Sequence, residues 1–474
     1  MGMPMDTPME HARVAGKTVR ALAWVVAAGA AVRLALWAGL GDQPLHIVDE
    51  RAYNTLAVNL VEHGEFAFTP GTPATLRPPL YPVFVAGVYR VFGIENYQAV
   101  RLVQALLSLA TVVIVYRLGL ALYSPRVGLW AAGFCCFYPS LLGANGFLLT
   151  ETLFTFLLCA ECCVFVLALE RRRPALLALA GVLLALGALT RSVLWLFGPA
   201  AAVFLLLAWR GSLGIRTLAA AVFLTAFVAT LAPWAVRNTR VEQTLVIVDT
   251  MGGRNFMMGN YRHTPLYRSW DAISLQGDQS WVHELHASCP PAERRTQGQV
   301  DQQALRLGLQ FVKDNPGLTF KRDVIKFIQF WGLERELLAA VGRGYYGETS
   351  LPVFVGLTLL IFGSYTLALL AGVFGAVVAR PADWQSHLLL LLVIAQVCGV
   401  HTLVFGHSRY HLPLMPLVLV FTAGAWVHAR DIWQRRGRGS FWLACAVGSV
   451  FIAGWFYEIL VIDGDRYREM LPGL

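Results

Sequence analysis

The chain has 474 residues, of which 57% are hydrophobic and 14% charged, with a net charge of +9. Soluble domains carry about 25% charged residues, so this composition excludes a soluble globular protein and indicates a polytopic membrane protein. The positive balance does not indicate nucleic acid: the basic residues cluster in short loops between apolar runs, which is a topology signal, and no nucleic-acid-binding module is present.

Residues 1–20 are polar and basic, with Arg13, Lys17 and Arg20, and read as a cytosolic N-terminus. The run Ala21–Leu40 is long enough to span and has no small-residue cleavage site, so it reads as an anchor and not a cleaved signal. It opens an N-terminal transmembrane module, 21–235, that includes a first outer loop at 41–96. Within that loop Asp49 and Glu50 are followed by Tyr53, Leu56, Ala57, Leu60 and Val61, one apolar stripe at helical spacing, and by Gly64 where a glycine ends a helix. A helix this short is marginal in water, so it belongs in the membrane interface. Asp49 then either caps it or presents a carboxylate at the water–lipid boundary. Arg77 closes the stretch before Pro78-Pro79.

Further spans follow at about 97–122, 126–144, 147–169, 175–190, 192–209 and 216–235. A polar extracytoplasmic loop fills 236–350. The C-terminal transmembrane module, 351–461, holds spans at about 351–378, 386–405, 411–429 and 440–461, and 462–474 is a tail. Eleven spans with a cytosolic N-terminus put every Arg-rich short loop (Arg117–Arg126, Arg171–Arg173, Arg210–Arg216, Arg380, Arg430–Arg438) on the inside. With one span miscounted, the Arg171 and Arg435 clusters would fall on opposite sides. The long loop predicts helices over 299–314 and 317–332, broken at Asn315-Pro316. Gly252-Gly253 and Gly259-Asn260 read as turns. Seven of the eight cysteines lie in apolar runs and read as packing residues, and no structural disulfide is expected.

Ionisable groups inside spans are expensive unless paired or hydrated. Arg33 in the first span, with Glu151 or Glu161 in the fourth, suggests a structural pair. Arg191, Arg237 and Arg409 instead sit at outer span ends, level with Arg77. Several arginines converging opposite Asp49-Glu50 describe an anion site beside a base. At the outer boundary the natural anion is a lipid phosphate. Transfer from a polyprenyl-phosphate sugar needs a carboxylate to take the acceptor proton and cations to stabilise the departing phosphate.

Taken together, Asp49-Glu50 with Tyr53, Arg77-Pro78-Pro79-Leu80-Tyr81-Pro82, Thr150-Glu151-Thr152-Leu153, Leu189-Thr190-Arg191, Pro233-Trp234 with Arg237-Asn238, Gly259-Asn260, and Ser408-Arg409-Tyr410 with Pro413 carry a resemblance. The chain resembles the bacterial GT-C membrane glycosyltransferases of the dolichyl-phosphate-mannose protein mannosyltransferase superfamily, which includes the lipid A aminoarabinose transferases. The resemblance implies an all-α GT-C fold and inverting transfer from an undecaprenyl-phosphate-type sugar to a lipid, glycan or other envelope acceptor. That transfer would occur at the periplasmic face of a bacterial inner membrane, with Asp49 as general base and Glu50 beside it. Arg77, Arg237, Arg409 and Tyr410 are then expected at the donor phosphate, and Tyr53, Glu151, Arg191, Asn238 and His407 around the site. It demands no organic cofactor and leaves room for a divalent metal. Where the aminoarabinose transferases have an acidic–Lys–Pro triplet, this chain has Leu76-Arg77-Pro78: the cation is kept and the acid is missing. A transporter or flippase of a lipid-linked sugar is the competing class, but no internal repeat is visible and the motifs sit at one interface.

Overall fold

The computed structural model describes residues 8–291 and 295–463, so nearly all of the expected tail, 462–474, and the first residues of the N-terminal segment lie outside the described residues. The long helix α1 (Pro8–Leu40) leads into α2 (Val48–Glu62), a two-stranded hairpin (β1, Ala67–Thr69; β2, Thr72–Pro73) and α3 (Leu80–Phe92). The hairpin is the only β-sheet among the described residues of an otherwise helical chain. Helix α2 forms where its stripe required, burying Tyr53, Leu56 and Ala57. Helix α3 is a further helix of the first outer loop, whose position the sequence reading did not give. Its sequence LYPVFVAGVYRVF repeats apolar residues so densely that the period is obscured, yet Tyr81, Val85, Val88 and Tyr89 form one buried face, with Tyr81 edge-on to Tyr53 of α2.

The bundle continues through α4 (Tyr97–Leu122), α5 (Pro125–Cys136), α6 (Pro139–Ala144), α7 (Glu151–Arg171), α8 (Pro174–Thr190), α9 (Phe197–Ala208) and α10 (Leu213–Glu242). Among the described residues, eight helices are long and apolar enough to cross a membrane, and Leu80–Phe92, Pro174–Thr190 and Ser192–Ala208 are shorter apolar helices. The protein is therefore a helical multi-span membrane protein. Eight of the eleven expected spans coincide with the long helices. The runs expected at 175–190 and 192–209 are two of the short ones. The run expected at 126–144 is not one helix: it breaks between Phe137 and Tyr138, and α6 restarts with Pro139 at its first position, where the missing N–H costs nothing.

The polar loop folds into α11 (Gly252–Gly259), α12 (Trp281–Ala287), α13 (Gln297–Asp314), α14 (Pro316–Phe330) and α15 (Glu336–Gly342). Helices α13 and α14 and their Asn315-Pro316 break are as expected. Gly252-Gly253 is not a turn. It opens α11, and Gly253 is small because a side chain there would overlap the Asp301 carbonyl of α13. The second bundle module comprises α16 (Leu351–Val377), α17 (Trp384–Leu403), α18 (Met415–Val427), α19 (Ala429–Gln434) and α20 (Gly439–Tyr457).

One end of the bundle collects the Arg-rich turns. Ala382 N–H donates to the Leu122 carbonyl at 2.7 Å, Gln385 to Ala208 at 2.7 Å, and Arg435 to Val378 at 2.9 Å. At the opposite end Arg101 and Gln104 of α4 donate to the carbonyls of Gln43 at 2.7 Å and Phe147 at 2.8 Å. These bonds gather the first loop and the start of α7 there. Without a hydrophobic drive between helices in lipid, such bundles depend on close approach. Glycine supplies it between α16 and α18, where a Cβ on Gly375 would overlap the Phe421 carbonyl. Gly375→Val is expected to lower unfolding stability in detergent by about 1–3 kcal/mol through overpacking. Gly356→Ala, on the same helix with open space around it, should shift the thermal midpoint little.

Candidate active site

The first turn of α2 separates two adjacent carboxylates. Ile47 is the N-cap with extended backbone. Glu50, buried in the third helical position, accepts backbone N–H bonds from His46 at 3.0 Å, Ile47 at 2.9 Å and Leu148 at 2.9 Å. It satisfies donors that a helix start leaves open and ties α2 to the segment that enters α7. Glu50, expected beside Asp49 among the catalytic carboxylates, has both oxygens bonded to backbone N–H groups. Asp49 does not cap the helix. One turn position earlier, its side chain points to Arg77, which donates from Nη2 at 2.7 Å.

Arg409 extends the pairing. Its Nη1 stands 3.6 Å from the second Asp49 oxygen, and its Nε donates to Glu151. Glu151, the first residue of α7 and nearly inaccessible, also accepts from Arg191 Nη2 at 3.1 Å. The result is one alternating chain, Arg77–Asp49–Arg409–Glu151–Arg191, drawn from five separate parts of the sequence. Aromatic rings bracket it. Arg77 lies over Tyr53 with its guanidinium carbon 5.7 Å from the ring centroid, and Arg191 over Tyr410 at 5.5 Å. Tyr410 in turn stacks on His401 at 4.4 Å. The turn carrying Arg409 is set by His407, whose Nδ1 accepts the Arg409 N–H at 3.1 Å. Burial, reinforced by the Arg409 charge, pushes the His407 imidazole down to about 4, so at neutral pH this nitrogen is free to accept.

Two expected members lie elsewhere. Arg237 donates to the carbonyls of Ala74 at 2.6 Å and Phe66 at 3.3 Å and stacks on Trp234 at 4.6 Å, so it anchors the hairpin. Asn238, fully buried, accepts from Arg237 and donates to the Val248 carbonyl. Level in the bundle was legible for these residues; direction around the helix was not. Among the described residues Arg33 has no carboxylate partner: it donates to Ser108 Oγ and to the Gly29 and Cys136 carbonyls. Neither carboxylate oxygen of buried Glu161 has a hydrogen-bond partner among the described residues.

The site also includes residues that sequence reasoning passed over. A cavity of about 480 Å³, counting space open to solvent, adjoins the charge chain. Its wall includes Ser140, Phe147, Glu151, Glu336, Arg409 and Leu412. The signal for Glu336 was present: three charges, Glu334-Arg335-Glu336, directly follow an apolar run. Asp249, half-buried in the segment after α10, was also missed. Burial pushes its carboxyl up to about 6, with Ser192 and the Met251 N–H opposing. Among the described residues, no group of three or more His, Cys, Asp or Glu is arranged to hold a metal ion.

Two outcomes follow. Glu50→Gln should lower folding stability by about 1–3 kcal/mol, because it puts an amide NH₂ against backbone donors. A variant as stable as the parent yet inactive would return Glu50 to the chemistry. For Asp249, a folded pKa of about 6 against an ordinary 3.8 means that its contribution to stability is complete below about pH 4 and lost as pH rises through about 6. Thermal midpoints of Asp249→Asn and the parent, measured at pH 4, 6 and 8, should therefore separate in favour of Asn as pH rises. A difference constant with pH would contradict the assignment.

A family model for dolichyl-phosphate-mannose-protein mannosyltransferase matches residues 76–236, a stretch containing Arg77, Glu151 and Arg191 but neither Asp49 nor Arg409. No curated protein matches the chain. Among solved structures, the oligosaccharyltransferase of Archaeoglobus fulgidus in the apo form is similar at 15% identity, with 91% of this chain and 55% of that chain covered and a TM-score of 0.48. The archaeal oligosaccharyltransferase AglB of the same organism, in complex with an inhibitory peptide and a dolichol-phosphate, gives 14%, 91%, 54% and 0.46. ArnT from Cupriavidus metallidurans bound to undecaprenyl phosphate gives 14%, 86%, 79% and 0.39. The chain thus spans about half the length of the oligosaccharyltransferase chains it matches. Residues 76–236 are thus similar to the dolichyl-phosphate-mannose-protein mannosyltransferase family.

Proposed function

We propose that the chain is an inverting glycosyltransferase. It moves a sugar from a polyprenyl-phosphate donor to a lipid, glycan or other envelope acceptor, with its site on the extracytoplasmic side of a bacterial inner membrane. The observation that carries this reading is the alternating charge chain beside a cavity, at the bundle end away from the Arg-rich turns. The family description supports the donor class, since it names a dolichyl-phosphate-linked sugar.

In this reading the donor phosphate takes guanidinium contacts from Arg77 and Arg409, fork-shaped donors suited to paired phosphate oxygens. Both arginines now contact Asp49, so a phosphate that draws them off leaves that carboxylate free to accept a proton. The acceptor hydroxyl or amine gives its proton to Asp49, and its lone pair attacks the anomeric carbon from the face opposite the phosphate. The bond from that carbon to the phosphate oxygen breaks, and its electron pair leaves with the polyprenyl phosphate, whose growing charge the arginines stabilise. Glu151 acts indirectly, by holding Arg409 and Arg191 in place. Tyr53 and Tyr410 hold the planes of Arg77 and Arg191.

The test is turnover of a polyprenyl-phosphate sugar by the purified chain in nanodiscs supplied with envelope lipid. Acceptor-dependent release of polyprenyl phosphate is expected. Asp49→Asn should retain donor binding and lose about 10²–10⁴ in rate. Donor carried across a liposome bilayer with its glycosyl bond intact would make the protein a transporter, and a fully active Asp49→Asn would remove Asp49 from the chemistry.

A further inference from the structure

Helix α14 buries four polar side chains, Thr319, Arg322, Lys326 and Gln329, alongside the apolar Ile325 and Phe330. Arg322 donates to the carbonyls of Tyr261 at 2.8 Å and Thr264 at 2.6 Å. Lys326 Nζ reaches Asn260 Oδ1 at 3.1 Å, Asp323 Oδ1 at 3.1 Å and the Leu403 carbonyl at 3.2 Å. The opposite face is apolar and bare: Phe320 is 73% exposed, Val324 46% and Leu318 38%. A helix in water sorts its residues the other way.

The bare stripe has a direction. Phe320, Val324 and Ile328 are four residues apart and so lie in one row. The lower end of the row is covered by the membrane-spanning helix α20: Ile328 would stand 3.5 Å from a Cβ on Gly454, and Phe327 stacks on Phe451 at 6.3 Å. Trp455 of α20 donates to the Trp331 carbonyl at 2.8 Å. Around this junction α20 turns Val450, Phe456 and the following Leu460 outward, the surface a spanning helix gives to lipid. The upper part of the row, Val324 and Phe320, is exposed like these residues of α20. Lys321, beside Phe320, and Lys313, at the end of α13, are exposed at its edge.

We infer that α14 is a membrane-embedded edge of the extracytoplasmic layer: Leu318, Phe320 and Val324 rest among the acyl chains of the adjacent leaflet, and Lys321 sits at headgroup level, where it meets lipid phosphate. Apolar contact with a flanking cation is what holds an interfacial helix at the boundary. The arrangement has a consequence for the charge chain. The buried face of α14 grips the backbone at Leu403, and Gly406 is glycine where a side chain would overlap the Lys326 carbonyl. Segment 403–406 leads directly into the turn that carries Arg409. Lipid contact on one face of α14 thus fixes the depth of Arg409 through the other.

The experiment places an environment-sensitive fluorophore (NBD) on Phe320→Cys, and separately on Val324→Cys, in the full-length chain in nanodiscs. The partly exposed Cys163, Cys289 and Cys445 are replaced by Ser. Asp278→Cys, on an exposed turn of the long loop, serves as the comparison. Labels at 320 and 324 should be quenched by lipids carrying a doxyl group high on the acyl chain, and several-fold less than the label at 278 by aqueous iodide. Iodide quenching equal to that at 278, without doxyl quenching, would place the face in water. Protection from both quenchers would mean that protein covers it. Either result overturns the inference.

Discussion

Arg409 is shared between two carboxylates, and most of the site depends on that sharing. Buried charges are tolerated only where partners satisfy them, because the cost of taking each ion out of water is several kcal/mol. Arg409 meets Glu151 with its Nε and Asp49 with its Nη1, while Arg191 and Arg77 close the two ends. Three cations balance two anions. Two further carboxyls adjoin them, Glu336 on the cavity wall and Asp249 near Arg77, so an arriving anion would find the three guanidiniums already shared among protein carboxylates.

The scaffold serves this arrangement from several directions. Glu50 locks the first turn of α2 to Leu148, so Asp49 keeps a fixed distance from the start of α7. The turn at 407–410 is set by His407, and the chain entering it is gripped by α14. Arg191 follows directly after α8, with its backbone N–H still bonded to Gly187 at 2.9 Å. Asp49, Glu151 and Arg191 are thus delivered by helix ends, Arg409 by a short 3-10 turn and Arg77 by the segment before α3. Such placement permits tighter geometry than a free loop would.

Much of this was legible in residues alone. Apolar run length gave the eight long helices, and charge asymmetry gave the end on which the arginine turns collect. Asp49 and Arg77 were visible as charges bracketing one polar stretch, and Arg191 and Arg409 as cations at matching depth; the ion pair between Asp49 and Arg77 was not. What sequence could not supply was azimuth. Arg237 sits near the right level but faces the hairpin, and adjacent Asp49 and Glu50 diverge because successive helical positions point about 100° apart. Glycine was ambiguous for a related reason: the same residue serves a turn and a close helix contact, and at Gly253 the neighbour that decides is Asp301, far along the chain. Glu336 escaped because its value comes from a cavity wall assembled by α6, α7 and the 408–412 turn.

The central claim is that the arginines exchange a protein carboxylate for a lipid phosphate. Infrared difference spectroscopy on the purified chain, with undecaprenyl phosphate added, measures this directly. Binding is expected to shift the carboxylate stretching bands, as Asp49 loses its guanidinium contacts, with a matching change in the phosphate bands. Saturable binding that perturbs the phosphate bands and leaves every carboxylate band unmoved would contradict it.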